Sequence, residues 1–424
     1  MDGYKHRIAD EILQKKLSAK GAVVIEGPKW CGKTTTAEQC ANSILYMDEP
    51  ENLSNNMRLA EISPKTLLIG DNPRLIDEWQ LAPKLWDTIR FEVDHRHEQG
   101  LFILTGSAVP PKTDDIHHSG TGRFTWITMR PMSLFESGES NGQVSLESLF
   151  DKEKDIEGIN PLSIDDVAYL ACRGGWPLAS TMSGESALEQ AFDYYDAVVR
   201  YDISRADNIE RNQERVKLLM RSYARNQGTQ ASMKTLCNDM RTNDKDSLDE
   251  DTVASYVKAL KKIFVIEDSM AWNPNLRSKS AVRTSDTRYF VDPSIGTAAL
   301  GIGPKDLIFD LKTFGFIFET MCIRDLRVYA ERLGGAVYHY RDSSNLECDA
   351  VIHLRNGAYG LIEIKLGGDT AINDGIETLT ELKNAIDTNR MKEPSFLMVL
   401  TATGQYAFRD KSGIYIVPIG CLRY

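Results

Sequence analysis

No stretch of roughly 18 or more consecutive apolar residues occurs in the chain, so nothing in it reads as a membrane-spanning helix. The first 20 residues also lack the apolar segment and small-residue cleavage site of a signal peptide, reading instead as an amphipathic helix with Lys5, Arg7, Lys15 and Lys16. Paired cysteines at metal-ligand spacing are missing too. The 7 cysteines (Cys31, Cys40, Cys172, Cys237, Cys322, Cys348 and Cys421) stand singly, which argues against a structural zinc and for a reducing compartment, the cytoplasm. There is no excess of positive charge: the formal net charge is −11, so nucleic acid could be held only through a local basic patch. Repeats and low-complexity tracts are absent as well. What is present is an ordinary globular composition, 42% hydrophobic and 26% charged over 424 residues, enough for about two to four domains.

The strongest local signal is Gly27-Pro28-Lys29-Trp30-Cys31-Gly32-Lys33-Thr34, a full GxxxxGK[ST] match. Ala22–Ile25 before it is a short buried strand, and Thr35–Ile44 after it is expected to be a helix. In that setting the glycines let backbone N–H groups wrap phosphates, and the helix presents its positive end. The stretch Gly27 to Thr35 is therefore the candidate nucleotide-binding segment. Lys33 would neutralise the β and γ phosphates of ATP and Thr34 would ligate Mg²⁺. Next, Arg74-Leu75-Ile76-Asp77-Glu78-Trp79 ends an apolar run in adjacent carboxylates, as a Walker B strand does. Asp77 is placed on Mg²⁺, and Glu78 is the candidate base that polarises the attacking water. A strand at Leu101–Leu104, lying between these two, would bring Thr105 or Ser107 beside the γ-phosphate as a sensor. Gly120-Thr121-Gly122-Arg123-Phe124 offers an arginine on a Gly-rich turn, and Arg130 follows it. In a ring, one of these would reach a neighbouring subunit's nucleotide; the sequence leaves Arg123 and Arg130 undecided.

The order phosphate loop, LIDEWQLAP, LFILTGSA, GTGRF, then Arg130-Pro131-Met132-Ser133-Leu134-Phe135-Glu136, resembles a family of prokaryotic AAA-type ATPases. Gly174-Gly175-Trp176-Pro177 and Tyr201-Asp202-Ile203 resemble that family too, so the likeness spans nearly the whole chain. It implies an AAA+ core, a homo-oligomeric ring, and a C-terminal domain long labelled as of unknown function.

Downstream, Glu136–Ser145 is a polar linker and 163–206 reads as a helical lid. Arg211–Arg225 is a basic amphipathic helix: at about 100° per residue Val216, Leu219, Met220 and Tyr223 share one side. Arg211, Arg215, Lys217, Arg221 and Arg225 take the remaining arc. Helices at Met233–Met240 and Glu250–Ile263, a strand at Phe264–Trp272 and a turn at Asn273-Pro274-Asn275 complete the pattern of a winged helix, a fold that binds DNA or protein.

Near the end, Asp349–Leu354 and Tyr359–Leu366 flank the turn signal Arg355-Asn356-Gly357. Even-numbered residues of both strands are apolar, so they are expected to form the core face. A three-residue loop then sets Asp349 across from Glu363, with Lys365 beside them. Two carboxylates and a lysine on one face make a divalent-metal site with an adjacent cation. This arrangement resembles the PD-(D/E)XK nuclease fold, and Glu319 on the preceding helix matches that fold's additional acid. Cys348 stands where many members have proline, and the helix Ile372–Ala385 is acidic where many carry a basic residue or glutamine.

The expectation is an α/β multidomain protein: a P-loop AAA+ ATPase core (1–140), a helical lid (141–206), a winged helix (207–295) and a PD-(D/E)XK nuclease-like domain (296–424). Its expected activity is Mg²⁺-dependent ATP hydrolysis acting on DNA, branched or broken DNA included, which the C-terminal domain grips or cuts. The alternative is a regulatory ATPase that binds a protein partner and keeps the nuclease fold as a scaffold.

Overall fold

The structure is a computed structural model and describes residues 3–106, 120–151, 155–241, 248–273, 285–386, 388 and 391–424. Ser107 and the turn residues Pro274 and Asn275 therefore lie outside the described residues. The chain divides into two compact units. The first comprises Met1–Pro131, Asp202–Glu210 and Ala259–Phe264; the second takes Met132–Tyr201, Arg211–Lys258 and Val265–Tyr424.

The first unit is an α/β layer structure on a five-stranded sheet. Its strands are β1 (Ala22–Glu26), β2 (Ser43–Tyr46), β3 (Arg74–Asp77), β4 (Phe102–Gly106) and β5 (Phe124–Thr128), in the order β2-β3-β4-β1-β5. Every pairing is parallel. Parallel sheets are covered on both faces, which is why the strands read as unbroken apolar runs such as AVVI and FIL. Ala22, Val24, Ile76, Phe102 and Leu104 pack with Trp86 and Ile89 of the helix Leu85–Arg96. Trp86 also stacks on Phe124 at 3.9 Å. As expected, β4 lies between β1 and β3, and its register sets Thr105 against Ile25 on one side and Asp77 on the other.

The helix after the phosphate loop is shorter than expected. It spans Lys33–Glu38, and residues 43–46 are instead β2. Asn42 ends the turn between them, its backbone N–H and side-chain amide donating to Pro73 O at 2.8 Å and Asn72 O at 2.6 Å. Ile44 and Tyr46 then follow their β-branched and aromatic preference for a strand.

The second unit carries a seven-stranded mixed sheet. The strands of this unit are β6 (Val144–Ser145), β7 (Gly158–Ile159), β8 (Gly335–Arg341), β9 (Glu347–Leu354), β10 (Tyr359–Lys365), β11 (Phe396–Thr401), β12 (Tyr406–Arg409), β13 (Tyr415–Pro418) and β14 (Leu422–Arg423). The large sheet runs β7-β12-β13-β11-β10-β9-β8, and β14 pairs separately with β6. The hairpin β9-β10 has the expected register, Tyr359 facing His353 and Ile362 facing Ala350, and just beyond that pair Lys365 bonds both Asp349 and Glu363. Its one-sided core does not hold. Ala350, Ile352 and Ile362 are buried, but so are Val351, Tyr359 and Leu361, which pack with Leu379 and Leu382 of the helix Asp369–Ala385. The cause is the parallel pairing of β10 with β11 and β11 with β13, which needs cover on both faces. Alternation also breaks where the β8-β9 register shifts between Tyr338 and Tyr340, so Cys348 joins the same cluster as Val351.

In chain order, between β7 and β8, come helices Ile164–Arg173, Gly184–Ala197, Gln213–Arg225, Met233–Arg241, Glu250–Lys262 and Pro293–Leu300. The expected strand from Phe264 is not continuous. Phe264 has φ +58°, Val265 and Ile266 are both buried, and the segment makes isolated bridges, Ile266 to Phe290 and Ser269 to Thr287, both antiparallel.

The Gly174-Gly175 turn is explained by what it meets. Gly174 (φ +74°) has no room for a Cβ, which would fall 2.4 Å from Ser294 Oγ and 2.5 Å from Asp292 Oδ1. Gly175 N–H donates to Asp292 Oδ2 (2.9 Å) and Trp176 Nε1–H to Ser294 Oγ (3.0 Å). Asp292 in turn receives the buried Arg324 guanidinium at 2.9 Å, and Asp325 receives both Arg324 (2.8 Å) and the Leu134 N–H (3.0 Å).

Candidate nucleotide site and C-terminal carboxylate cluster

The phosphate loop leaves β1 through residues in the left-handed region: Gly27 at φ +151°, Trp30 at +64° and Gly32 at +96°. A Cβ on Gly27 would stand 2.0 Å from Met129 O, so only glycine passes there. Lys33 is 7% exposed, and its ammonium donates to Gly27 O (3.0 Å) and Pro28 O (2.7 Å), capping the loop's concave side. Thr34 Oγ1 donates to Asp77 Oδ1 at 2.9 Å, and Thr105 Oγ1 donates to the same oxygen. The structure thus brings Lys33, Thr34, Asp77 and Thr105 together as the sequence predicts, Thr105 being bonded to Asp77. Burial raises the Asp77 carboxyl, opposed by the Thr105 and Thr34 hydroxyls. Glu78 follows in the left-handed region (φ +53°), held by the Gln80 amide; burial and the Asp77 charge raise its carboxyl too.

A hydroxyl and a carboxylate beside the loop suit a hard cation, and the buried Lys33 ammonium suits phosphate. The residues present fit Mg²⁺-ATP. Of the two candidate arginines, Arg123 is exposed, in the turn before β5, and bonded to Asp94 of the helix Leu85–Arg96 at 2.6 Å. Arg130 is half-buried and donates to Thr128 O at 3.2 Å. Two contacts on the loop carried no sequence signal because they span 24 and 173 residues: Arg7 to Cys31 O at 2.7 Å, and Lys29 to Asp202 Oδ1 at 2.7 Å. Trp30 is exposed and Thr35 half-buried.

At the other end of the chain, Lys365 Nζ lies 2.6 Å from Glu363 Oε2 and 3.5 Å from Asp349 Oδ2, so the predicted triad assembles. Asp349 Oδ2 also accepts the Ile364 N–H at 2.7 Å. Glu363 is 4% exposed, its Oε1 has no hydrogen-bond partner, and burial with the Asp349 charge lifts its carboxyl to about 8. Against burial, Asp349 and Glu363 hold the Lys365 ammonium above its usual range. Glu319 accepts the Tyr289 hydroxyl, and burial together with the Asp349 charge raises it well above the carboxylate range. Among the described residues no group of three or more His, Cys, Asp or Glu is placed to hold a metal ion. Asp349 and Glu363 fit a divalent cation only as a two-carboxylate set, with Glu363 Oε1 the free ligand atom.

The helix Gln213–Arg225 buries Val216, Leu219, Met220 and Tyr223 as its periodicity predicts. Its basic arc is less open than expected. Arg211 is 5% exposed with its guanidinium over the Tyr256 ring at 5.5 Å, Arg225 is paired with Asp239, and Lys217 with Glu214 at 2.9 Å. No helix among the described residues is long and apolar enough to cross a membrane.

Three family matches tile the chain. Residues 19–137 match an AAA domain, 164–306 a domain of unknown function (DUF8612), and 314–422 another domain of unknown function (DUF4143). No curated protein matches the chain. Among solved structures, the Walker-type ATPase PABY2304 of Pyrococcus abyssi is similar at 12% identity and TM-score 0.42, over 68% of this chain and 94% of that one. The α/β unit with its parallel sheet and phosphate loop, together with the match over 19–137, supports an AAA-type ATPase.

Proposed function

We propose that the protein is a Mg²⁺-dependent ATPase that acts on DNA through its second unit. One observation carries the ATPase reading: the Asp77 carboxylate, at the end of β3, is bonded to the loop's own Thr34 hydroxyl, with Glu78 the next residue along. Mg²⁺-ATP, when bound, supplies the phosphoanhydride bond and the cation that screens its charge. Lys33 exchanges its loop carbonyls for phosphate oxygens, Thr34 and Asp77 hold the cation, and Thr105 fixes the Asp77 carboxylate. Glu78, whose carboxyl burial raises above its ordinary value, takes up a proton from the attacking water. Arg123 or Arg130 from a neighbouring copy would stabilise the developing charge in a homo-oligomeric ring.

The DNA reading rests on the Asp349, Glu363 and Lys365 cluster, whose two carboxylates and ammonium suit a phosphodiester with a divalent cation, as in a PD-(D/E)XK nuclease. Exposed Arg221 and the winged-helix order of helices add to it. A second reading is favoured by the neutralised basic arc: a regulatory ATPase that binds a protein partner, with the carboxylate cluster structural. ATP turnover measured with and without duplex, single-stranded and four-way junction DNA separates the two, and the same reactions resolved on a gel report cleavage. Stimulation by DNA, with any cleavage lost in Asp349→Ala, supports the first reading. Turnover unchanged by every DNA form, with no DNA binding, supports the second.

A further inference from the structure

Arg7 precedes the region that matches an AAA domain, 19–137, yet its side chain ends inside the nucleotide site. Only 4% of Arg7 is exposed. One guanidinium nitrogen donates to Cys31 O at 2.7 Å, the other to Arg130 O at 2.8 Å. Cys31 is the loop residue between Trp30 and Gly32, both in the left-handed region. Arg130 lies just after β5, where Met129 N–H donates to Glu26 O at 2.7 Å and Met129 O faces Gly27. The planar fork of one arginine therefore joins the middle of the phosphate loop to the segment that carries a candidate arginine finger. Arg7 is itself fixed: its N–H donates to Asp10 Oδ2 at 2.8 Å, and Asp10 Oδ1 accepts the Tyr4 hydroxyl at 2.7 Å. That hydroxyl also lies 3.0 Å from Thr36 Oγ1, on the helix that follows the loop.

We propose that Arg7 is a positioning residue of the nucleotide site, holding the Cys31 and Arg130 backbones together so that the phosphate loop keeps its binding shape. The role rests on the ATPase reading above. A backbone carbonyl buried without a donor is unfavourable, so without Arg7 the loop turns Cys31 O toward water and its amides leave the phosphate-binding arrangement. Lysine carries the charge but has no planar fork, so it serves one carbonyl at a time.

Fluorescent ATP analogue binding, steady-state ATP turnover and thermal melting, run on the full chain for wild type, Arg7→Met and Arg7→Lys, test the role. The expected result is a dissociation constant and KM for ATP raised about tenfold or more in Arg7→Met, the order of one lost charge-assisted hydrogen bond. The fall in kcat should be smaller, and Arg7→Lys should lie between. A purely structural brace would lower the melting temperature without nucleotide and reduce kcat, leaving KM and nucleotide affinity unchanged; that result overturns the proposal. If Arg7→Met does not fold, Arg7→Lys decides on the same criterion. Wild type that binds no ATP overturns the ATPase reading and this role with it, whereas wild-type binding matched by both variants overturns this role alone.

Discussion

Replacing Arg324 with methionine removes one cation from between two buried carboxylates. Arg324 is 1% exposed in its side chain, and Asp292 and Asp325 are each 0% exposed. The guanidinium supplies 2.9 Å and 2.8 Å bonds to them; without it Asp292 keeps the Gly175 N–H and the Ser294 N–H and hydroxyl, and Asp325 the Leu134 N–H, all of them neutral donors. Methionine fills much of the volume, so the loss is chiefly electrostatic. Uncompensated charge at such a site typically destabilises by about 3–5 kcal/mol. Protonation of Asp325, whose carboxyl burial already lifts to about 6 despite Arg324, would relieve part of it. The expected destabilisation is therefore about 3 kcal/mol at neutral pH, read as a lowered urea midpoint of the transition that exposes Trp176, which is packed on Tyr194 at 4.2 Å. Adding Asp292→Asn and Asp325→Asn should recover part of the loss, because the neutral triplet carries no unpaired charge. A loss under about 1 kcal/mol in the single variant, or further loss in the triple variant, would refute the reasoning.

Gly27→Ala places a Cβ 2.0 Å from the Met129 backbone oxygen at a φ of +151°, so it should abolish ATP binding while circular dichroism of the chain stays near wild type; unaltered affinity would contradict the loop geometry. His339 is buried between Ser269 O and Gln230, and burial lowers its pKa below 6.5. A depressed pKa means the neutral ring is the folded form, so its contribution is complete above 6.5 and is lost as pH falls through the folded pKa. Melting temperature should therefore drop on acidification below that value, less steeply in His339→Gln. Mg²⁺ or Mn²⁺ should raise the second unit's melting temperature through Asp349 and Glu363, and Asp349→Ala should remove the rise; an equal rise in the variant would place the cation elsewhere.

Much of the nucleotide site was legible in the sequence because each piece is local. The phosphate loop is one contiguous motif, and Asp77 and Glu78 end one short apolar run. The β9-β10 hairpin was equally legible, since residue parity and a three-residue turn bring Asp349 beside Glu363 without any long-range information. What was hidden depends on contacts distant in sequence. Nothing near Arg7 or Asp202 marks them as partners of the loop, and the Gly174-Gly175 turn makes sense only once Asp292 is seen beside it. The shortened helix after Glu38 was hidden for a related reason: residues 43–46 gain a parallel partner in β3, and sheet pairing overrides a helical reading. Parity misled at β9 and β10 because it assumes one buried face, whereas β11 brings a second.

The central claim, that Lys33, Thr34, Asp77 and Glu78 hydrolyse ATP, is tested most directly by phosphate release from Mg²⁺-ATP by wild type, Lys33→Ala and Glu78→Gln. The predicted result is Mg²⁺-dependent turnover by wild type that is lost in both variants, with ATP still bound by Glu78→Gln. Turnover at the wild-type rate in either variant would contradict the account.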